Sequence, residues 1–353
     1  TVGNRQRVEI AKALSMNARV LIMDEPTAAI TEADVEQLFN IIGLLKERGV
    51  GVVYISHRLN EVFEIGDRVT VLRNGQNVDT VPAKGTDMNS LIRMMVGYDI
   101  TDMYPKTSVE LGVTALEVRN LRDRRVLKDI SFSLKRGEIL GITGLLGSGT
   151  SELAHALFGA NPIVAGEMLL QGKRVEPKDP RRAIEAGIGL LPENRKTEGL
   201  VLDMSVRDNV TLASLHRIFK TGLVRRSRQD RLVGTYVDDL SIETPSLLQK
   251  VKFLSGGNQQ KVVVAKWQCR GLDILIFSEP TRGIDVVVKV EVYQLMNRLV
   301  QNGSSVIMIS SELPEILGMS DRVLVWHEGR IAGELPRHEA TQEQILRLAI
   351  GRA

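Results

Sequence analysis

Short apolar runs, each followed by polar residues, recur along this chain. The runs at 20–23 and 52–55 show no alternation of apolar and polar positions, and neither do the runs at 274–277 and 306–309. Continuous runs of this kind are typical of parallel strands that are buried on both faces. The pattern therefore predicts an α/β fold.

Polar residues follow these runs, where a parallel sheet would have its carboxyl ends. Asp24 and Glu25 follow the first run, and Ser56 and His57 follow the second. In an open α/β sheet, ligands bind at the carboxyl ends of the strands, so we expect chemistry there. Further along, Asn74-Gly75 is a turn signal that predicts a β-hairpin.

The chain contains an internal repeat, because residues 1–99 align with residues 255–353 at a constant offset of 254 and without a gap. A repeat of this length predicts a duplicated domain rather than a solenoid. Residues 98–112, which lack periodicity, are the predicted linker between domains 1–97 and 113–353. The second copy has more than a hundred residues ahead of the repeat, so we expect the first domain to be truncated at its front. The matching positions include Gly3 with Gly257, Glu25 with Glu279, Asp67 with Asp321 and Gly97 with Gly351.

The composition is that of an ordinary globular protein, with 43% hydrophobic and 25% charged residues among 353. The net charge of +3 is too small to indicate nucleic-acid binding. No apolar run approaches the roughly 18 residues of a membrane-spanning helix, and no signal-peptide pattern opens the sequence. One cysteine, Cys269, forms no internal disulfide, which fits a reducing compartment.

A glycine-rich segment follows the apolar stretch at 139–142 and precedes a helix-like segment. Its glycines allow successive backbone N–H groups to turn towards a phosphate, and the helix N-terminus adds a favourable dipole. Ser151 is suited to bind Mg²⁺, but Thr150 stands where a phosphate loop carries lysine. Taken alone, the segment also fits a tight turn without a ligand. The candidate phosphate-binding residues are Gly144, Gly147, Ser148, Gly149, Thr150 and Ser151.

The segment Leu254-Ser255-Gly256-Gly257-Asn258-Gln259 begins a predicted helix shortly before the strand that ends at Glu279. It resembles the signature sequence of the ATP-binding cassette (ABC) family. More narrowly, segments 24–31, 195–200 and 280–285 resemble the ATPase subunits of bacterial monosaccharide importers, in which two cassettes share one polypeptide. The resemblance covers essentially the whole chain. It implies two tandem P-loop NTPase cassettes, the first incomplete, each with a mostly parallel sheet and a helical subdomain.

The resemblance also implies roles for individual residues. Asp24 would hold Mg²⁺, Glu25 would orient and deprotonate the attacking water, and His57 would contact the γ-phosphate of ATP. Ser255, Gly256 and Gly257 would bind the γ-phosphate of a nucleotide that the opposite cassette holds. From the residues alone, His57 also fits a structural histidine, and Asp24 with Glu25 fits a helix-capping pair.

The second cassette departs from the family pattern at several positions of its nucleotide site. Ser278 replaces the metal-binding aspartate and Ser311 replaces the histidine, while Thr150 replaces the lysine of the phosphate loop. Glu193 stands where the family usually has glutamine, and segment 116–128 lacks the aromatic residue that stacks on adenine. These changes predict a degenerate second site.

The sequence thus predicts that the intact subunit hydrolyses ATP to drive a monosaccharide importer, and that it uses ATP and Mg²⁺ at the cytoplasmic face of the inner membrane. This chain alone is expected to be inactive, because the phosphate loop of its first cassette is missing. Membrane-spanning permeases are the expected partners, with a periplasmic sugar-binding protein indirectly involved and neither nucleic acid nor membrane insertion. Segment 194–250 is the expected permease-docking surface, or else a helical subdomain packed on its own core. The alternatives are an importer of nucleosides or other small solutes, an inactive remnant or scaffold, and a ribosome-associated twin cassette. The short linker with its acidic residues argues against the last of these.

Overall fold

The computed structural model describes residues 8, 12, 18–27, 32–56, 58–73, 75–96, 103–218, 224–284 and 286–351. The chain divides into two compact units. Unit 1 comprises residues 1–103 with 285–287, and unit 2 comprises residues 104–284 with 288–353. The division lies within the range 98–112.

Unit 1 contains strands and helices in alternation, followed by a β-hairpin and a helix. A two-stranded parallel sheet pairs Val20 with Gly51 and Asp24 with Ile55. A separate antiparallel hairpin forms at the predicted turn. The elements are β1 (Val20–Asp24), α1 (Glu32–Glu47), β2 (Gly51–Ile55), α2 (Leu59–Ile65), β3 (Arg68–Arg73), β4 (Gln76–Pro82) and α3 (Met88–Val96).

The parallel sheet of unit 1 is buried on only one face, so the prediction of burial on both faces is wrong for β1 and β2. Met23 packs against Leu38 and Ile42 of α1, whereas Val20 and Ile22 on the other face are 62% and 67% exposed. Helix α1 covers the first face, and no described segment of unit 1 covers the second.

After residue 104 the chain forms two sheets with helices between their strands. Their elements are β5 (Thr114–Arg122), β6 (Ile130–Lys135), β7 (Ile139–Gly144), α4 (Thr150–Leu157), β8 (Ala165–Leu170), β9 (Lys173–Val175), α5 (Pro180–Ala186), β10 (Ile188–Leu191), α6 (Val206–Thr211), α7 (Leu215–Ile218), α8 (Arg226–Asp239), α9 (Gly256–Arg270), β11 (Ile274–Ser278), α10 (Val286–Gln301), β12 (Ser305–Ile309), α11 (Leu313–Met319), β13 (Arg322–His327), β14 (Arg330–Pro336) and α12 (Gln342–Ala349). A π-helix spans Arg195–Gly199, and 3₁₀-helices span Leu212–Ser214 and Val251–Phe253.

The main sheet of unit 2 has the strand order β10-β11-β12-β7-β13-β14 and is parallel except for its last strand. Side chains of β11 alternate between two hydrophobic cores. Ile274 and Ile276 contribute to one core, and Leu275 and Phe277 to the other. Every residue of β11 and β12 is buried. The prediction of strands buried on both faces is confirmed here, because helices and a second sheet, β6-β5-β8-β9, cover the main sheet.

Local sequence signals set several helix ends in unit 2. Asp179 caps α5 by accepting a hydrogen bond from the Arg182 N–H at 2.9 Å, and Pro180 occupies the first turn. Gly187 ends that helix in the left-handed conformation, with φ of 100°. Thr341 and Gln344 form a capping box at the start of α12.

The elements of unit 1 recur later in the chain with the same offset as the sequence repeat. Adding 254 to the bounds of β1, α1, β2, α2, β3 and β4 gives the bounds of β11, α10, β12, α11, β13 and β14. The two hairpins even share an irregularity of register, between Val71 and Leu72 and between Val325 and Trp326. In unit 2, strand β7 lies between β12 and β13 and joins the parallel strands and the hairpin into one sheet.

Candidate functional site

The glycine-rich loop of unit 2 connects the buried strand β7 to helix α4. Gly147 and Gly149 have φ of 80° and 108°, a conformation that glycine adopts without strain. A side chain at Gly149 would also approach Val126 Cγ1 to 2.6 Å. Helix α4 begins at the next residue, Thr150, so its free N–H groups lie at the end of the loop. This backbone geometry is suited to an anion such as phosphate.

The side chains of the loop offer hydroxyl groups but no positive charge. Ser148 is 8% exposed, and its Oγ has no hydrogen-bond partner within the described part of the chain. Thr150 and Ser151 are half-buried at the first turn of α4. An orphaned buried hydroxyl and a cradle of glycines fit a phosphate group, whereas the charge that would bind it tightly is missing.

The segment Ser255-Gly256-Gly257 forms the N-terminus of helix α9. Ser255 is the N-cap, and its Oγ accepts hydrogen bonds from the Asn258 N–H at 3.4 Å and from Asn258 Nδ2 at 3.0 Å. A Cβ atom at Gly257 would lie 2.7 Å from a methyl group of Val288, and one at Gly256 would lie 2.5 Å from Arg195 Nη2. Packing against Val288 therefore requires a glycine at position 257, whereas the neighbour of Gly256 is the flexible end of an arginine side chain.

The π-helix Arg195–Gly199 contacts the two helices that follow the glycine-rich segments of unit 2, α4 and α9. Arg195 Nη1 donates to the Arg282 carbonyl at 3.4 Å, and burial lowers the pKa of Arg195. Lys266 of α9 donates to the Gly199 carbonyl at 2.8 Å, and burial lowers its pKa to about 8. On the other side, His155 of α4 pairs with Glu198 at 2.9 Å. The π-helix thus contacts the helix of each glycine-rich segment.

The predicted acidic pair of unit 1 lies at the carboxyl end of β1. Asp24 is the last residue of the strand and is exposed. Glu25 has φ of 44°, and its N–H donates to the Ile55 carbonyl at 2.9 Å. This bond brings Glu25 next to Ile55, the last residue of β2. Ile55 precedes His57 by two positions, and His57 itself lies outside the described residues.

Glu279 of unit 2, the counterpart of Glu25, has its carboxylate occupied by protein groups. Its Oε1 accepts the Ser311 N–H at 2.8 Å and its Oε2 accepts the Ser311 hydroxyl at 3.1 Å. Burial raises the pKa of Glu279. Ser278 is buried beside it and brings no charge for a metal, while Glu193 forms an ion pair with Arg282. Both carboxylate oxygens of Glu279 are thus engaged by Ser311.

Two further buried carboxyl groups, Glu61 and Glu315, belong to none of the sequence motifs. They occupy equivalent positions of the repeat and are 6% and 0% exposed. Their recurrence at the repeat offset of 254, among apolar residues of a short helix, is the sequence feature that indicates them. Among the described residues, no group of three or more His, Cys, Asp or Glu side chains is arranged to hold a metal.

The chain is similar to proteins of known type. The ABC transporter family model matches residues 127–282. The ribose import ATP-binding protein of Bacillus licheniformis is 49% identical over 99% of this chain and 71% of its own length. A ribose import ATP-binding protein of Rubrobacter xylanophilus is 53% identical over 99% of the chain and 70% of its own length. A putative ribose/galactose/methyl galactoside import ATP-binding protein of Burkholderia ambifaria is 51% identical over the full chain and 69% of its own length.

Solved structures show the same fold at low sequence identity. The ADP conformation of MJ1267, an ATP-binding cassette of an ABC transporter, superposes with a TM-score of 0.56 at 19% identity, covering 68% of this chain and 99% of the other. CbiO1 of Clostridium perfringens superposes with a TM-score of 0.54 at 21% identity, covering 64% of this chain and 89% of the other. Taken with the cradle before α4 and the glycine pair at α9, these similarities identify the chain as a member of the ATP-binding proteins of ABC transporters, in the group named for ribose and galactose import.

Proposed function

We propose that this chain is the subunit that binds and hydrolyses ATP to energise the import of ribose or a related monosaccharide. The observation that carries the proposal is the near-50% identity to sugar-import ATP-binding proteins along almost the whole chain. The glycine cradle before α4 and the glycine pair at the N-terminus of α9 support it, because both are geometries that bind phosphate groups.

The domain organisation that we propose is a twin cassette. Residues 1–97 belong to the first cassette, residues 98–112 to the linker and residues 113–353 to the second cassette. The recurrence of strands and helices at the sequence offset supports this organisation, because unrelated domains would not share the bounds of successive elements.

The chemistry of the first cassette rests on Asp24, Glu25 and His57. Asp24 offers the oxygen ligand that Mg²⁺ prefers, and when bound the ion neutralises charge on the phosphates of ATP. Glu25 orients the attacking water and accepts its proton, while His57 contacts the γ-phosphate. The second cassette keeps the phosphate cradle from Gly144 to Ser151, but its site is degenerate because Glu279 is bound to Ser311.

The signature contributes to hydrolysis through the N-terminus of α9. Ser255, Gly256 and Gly257 direct a hydroxyl group and backbone N–H groups at the γ-phosphate of a nucleotide held by another phosphate loop. Because closure around the nucleotide brings these groups into place, the signature acts on turnover more than on the initial binding of ATP.

The partners that we propose are membrane-spanning permeases at the cytoplasmic face of the inner membrane, with a periplasmic sugar-binding protein acting through them. Segments 201–204 and 248–253 are joined by backbone hydrogen bonds, such as Val251 N–H to the Met204 carbonyl at 3.2 Å. Together they expose large apolar side chains, among them Leu248 and Phe253 at 62% and 68%. Exposed apolar groups that cluster in this way mark a protein contact. Within the described residues, no helix combines the length and apolarity that crossing a bilayer requires.

The proposal is tested by sugar uptake in cells whose own ribose ATPase gene is deleted and which express the intact subunit with its permease. Ser255→Ala removes the hydroxyl of the signature, so uptake of labelled ribose is expected to fall roughly tenfold or more. Gly257→Asp is a poorer choice, because any side chain there meets Val288.

Thr341→Ala is the matched control, since Thr341 is also the N-cap of a helix. Each change removes a cap worth about 1 kcal/mol, but only the signature variant is expected to lose uptake. Equal losses would reduce the role of Ser255 to helix stability. Uptake of a nucleoside without uptake of ribose would favour the small-solute alternative, and no uptake of any solute would favour a scaffold.

A further inference from the structure

Glu61 of α2 is a buried carboxylate that receives hydrogen bonds from several sides. Its Oε2 accepts from the Thr27 hydroxyl at 2.8 Å, from the Tyr54 hydroxyl at 2.7 Å and from the Ser56 hydroxyl at 3.2 Å. Its Oε1 accepts from Arg58 Nη1 at 2.9 Å. The side chain is almost fully covered, at 6% exposure. We refer to these five residues as the Glu61 cluster.

Two of the three hydroxyl donors of the cluster, Thr27 and Ser56, lie in the segments that carry the proposed chemistry. Thr27 lies two residues after Glu25, in the segment that follows β1. Ser56 directly precedes His57, in the segment that follows β2. The Glu61 carboxylate is therefore hydrogen-bonded to the segments that follow two neighbouring parallel strands.

The Glu61 cluster is built around a charged group. Burial alone would raise the pKa of Glu61, but the hydrogen bonds from Arg58, Tyr54 and Thr27 outweigh burial and lower it. Hydrogen bonds to an ionised acceptor are shorter and stronger than those between neutral groups. The cluster therefore fixes the positions of its donors more firmly than neutral hydrogen bonds would.

Unit 2 contains the same position with a different environment. Glu315 is fully buried, and it keeps the equivalents of Thr27 and Ser56 as neighbours, with Ser310 Oγ donating to Oε2 at 2.5 Å. However, Met308 replaces the tyrosine and Glu312 replaces the arginine. Oε1 of Glu315 has no hydrogen-bond partner among the described residues.

Comparison of the two copies of the repeat shows which residues around Glu61 are not required to form the fold. Strands β11 and β12 and helix α11 have the bounds of β1, β2 and α2, shifted by the repeat offset. The arginine and the tyrosine are therefore not required to form these elements. They are absent from the copy that also lacks the metal-binding aspartate and the histidine, and present in the copy that has both.

We propose that Glu61 is a positioning residue for ATP hydrolysis, which holds the segments that carry Glu25 and His57 in the geometry required for attack on the γ-phosphate. The inference rests on the proposed function and deepens it. Glu61 acts through Thr27 and Ser56 and does not itself touch the nucleotide.

The test compares Glu61→Gln with Glu315→Gln in the assembled importer. Glu61→Gln keeps the size of the side chain and removes its charge. We expect kcat for sugar-stimulated ATP hydrolysis to fall roughly tenfold to hundredfold, because small displacements of reacting groups have effects of that size. The KM for ATP is expected to stay within about twofold, since the phosphate-binding groups are elsewhere. Glu315→Gln, the matched control, is expected to leave both quantities within about twofold.

Two milder variants keep the inference testable if Glu61→Gln does not fold. Thr27→Val and Tyr54→Phe each remove one donor and leave the carboxylate in place, so each is expected to lower kcat at unchanged KM. Wild-type turnover by both variants would overturn the inference, as would equal losses from Glu61→Gln and Glu315→Gln. Absence of sugar-dependent hydrolysis by the wild-type importer would instead overturn the proposed function, and the inference with it.

Discussion

Glu315 illustrates how a residue of ordinary type acquires an unusual property from its surroundings. Burial raises the pKa of its carboxyl group to about 7, and the nearby Glu312 adds to the shift, while the hydrogen bond from Ser310 and the charge of Lys289 oppose it. The folded protein therefore binds this proton more tightly than the unfolded chain does. Stability is lost as the pH rises from the ordinary value of 4.5 towards 7.

We expect Glu315→Gln to remove this part of the pH dependence of stability. The wild-type protein should lose on the order of 3 kcal/mol of unfolding free energy across that pH range from this group, whereas the variant should not. Urea denaturation at a series of pH values, followed by circular dichroism, measures the difference. Parallel curves for the two proteins would show that Glu315 titrates normally.

At the scale of single residues, the position of acidic residues at a strand end was predictable from the sequence, but their contact partners were not. Asp24 and Glu25 lie at a strand end as the sequence indicates. The bond from Ser311 to Glu279 joins residues 32 positions apart, and no local pattern specifies it. The assignments of Asp24, Glu25 and His57 as metal-binding and catalytic residues stay predictions.

At the scale of elements, the phosphate loop and helix α4 have kept their geometry without the usual charge. Gly147, Gly149 and the start of α4 have a backbone geometry that is suited to phosphate, and Thr150 is the first residue of the helix. A lysine there would add the positive charge that phosphate loops direct at the β- and γ-phosphates.

We expect Thr150→Lys to raise the affinity of this 353-residue chain for ATP by roughly tenfold, about 1.4 kcal/mol. Isothermal titration calorimetry at fixed ionic strength is the measurement. Gln342→Lys is the control, because Gln342 is also an exposed first residue of a helix. An equal gain from the control would mean that the effect is nonspecific attraction between charges.

Hairpins and the helix after the phosphate loop could be predicted, since turn residues and apolar runs are local signals. The hairpin β3–β4 is confirmed, and β13–β14 is the equivalent hairpin of unit 2. The π-helix Arg195–Gly199 was not foreseen, because it depends on distant contacts such as the one from Lys266 to the Gly199 carbonyl.

At the scale of the whole molecule, equivalent strands of the two copies, β1 and β11, have different environments. Ile22 in β1 is 67% exposed, whereas Ile276 at the equivalent position of β11 is 0% exposed. In unit 2 the corresponding face packs against α4 residues such as Leu153 and Leu157. In unit 1 no described segment lies on that face.

We expect Ile276→Ala to destabilise unit 2 by about 2–5 kcal/mol, because it leaves a cavity in a closed core. Ile22→Ala removes the same atoms from an exposed position and should change stability by less than about 0.5 kcal/mol. Denaturant unfolding of the two variants measures both values. A large loss from Ile22→Ala would show that the exposed face is covered in solution, and analytical ultracentrifugation would then reveal whether a second copy covers it.

The sequence by itself determined the α/β class, the repeat, the glycine-rich segments and the likeness to sugar-import ATPases. Those features depend on residues close together along the chain or on matches between its two copies. The tertiary structure decided which strand faces are covered, that Glu279 accepts hydrogen bonds from Ser311, and that the pKa of Glu61 is lowered whereas the pKa of Glu315 is raised. These properties depend on long-range packing, since burial and charged neighbours set the cost of each buried group.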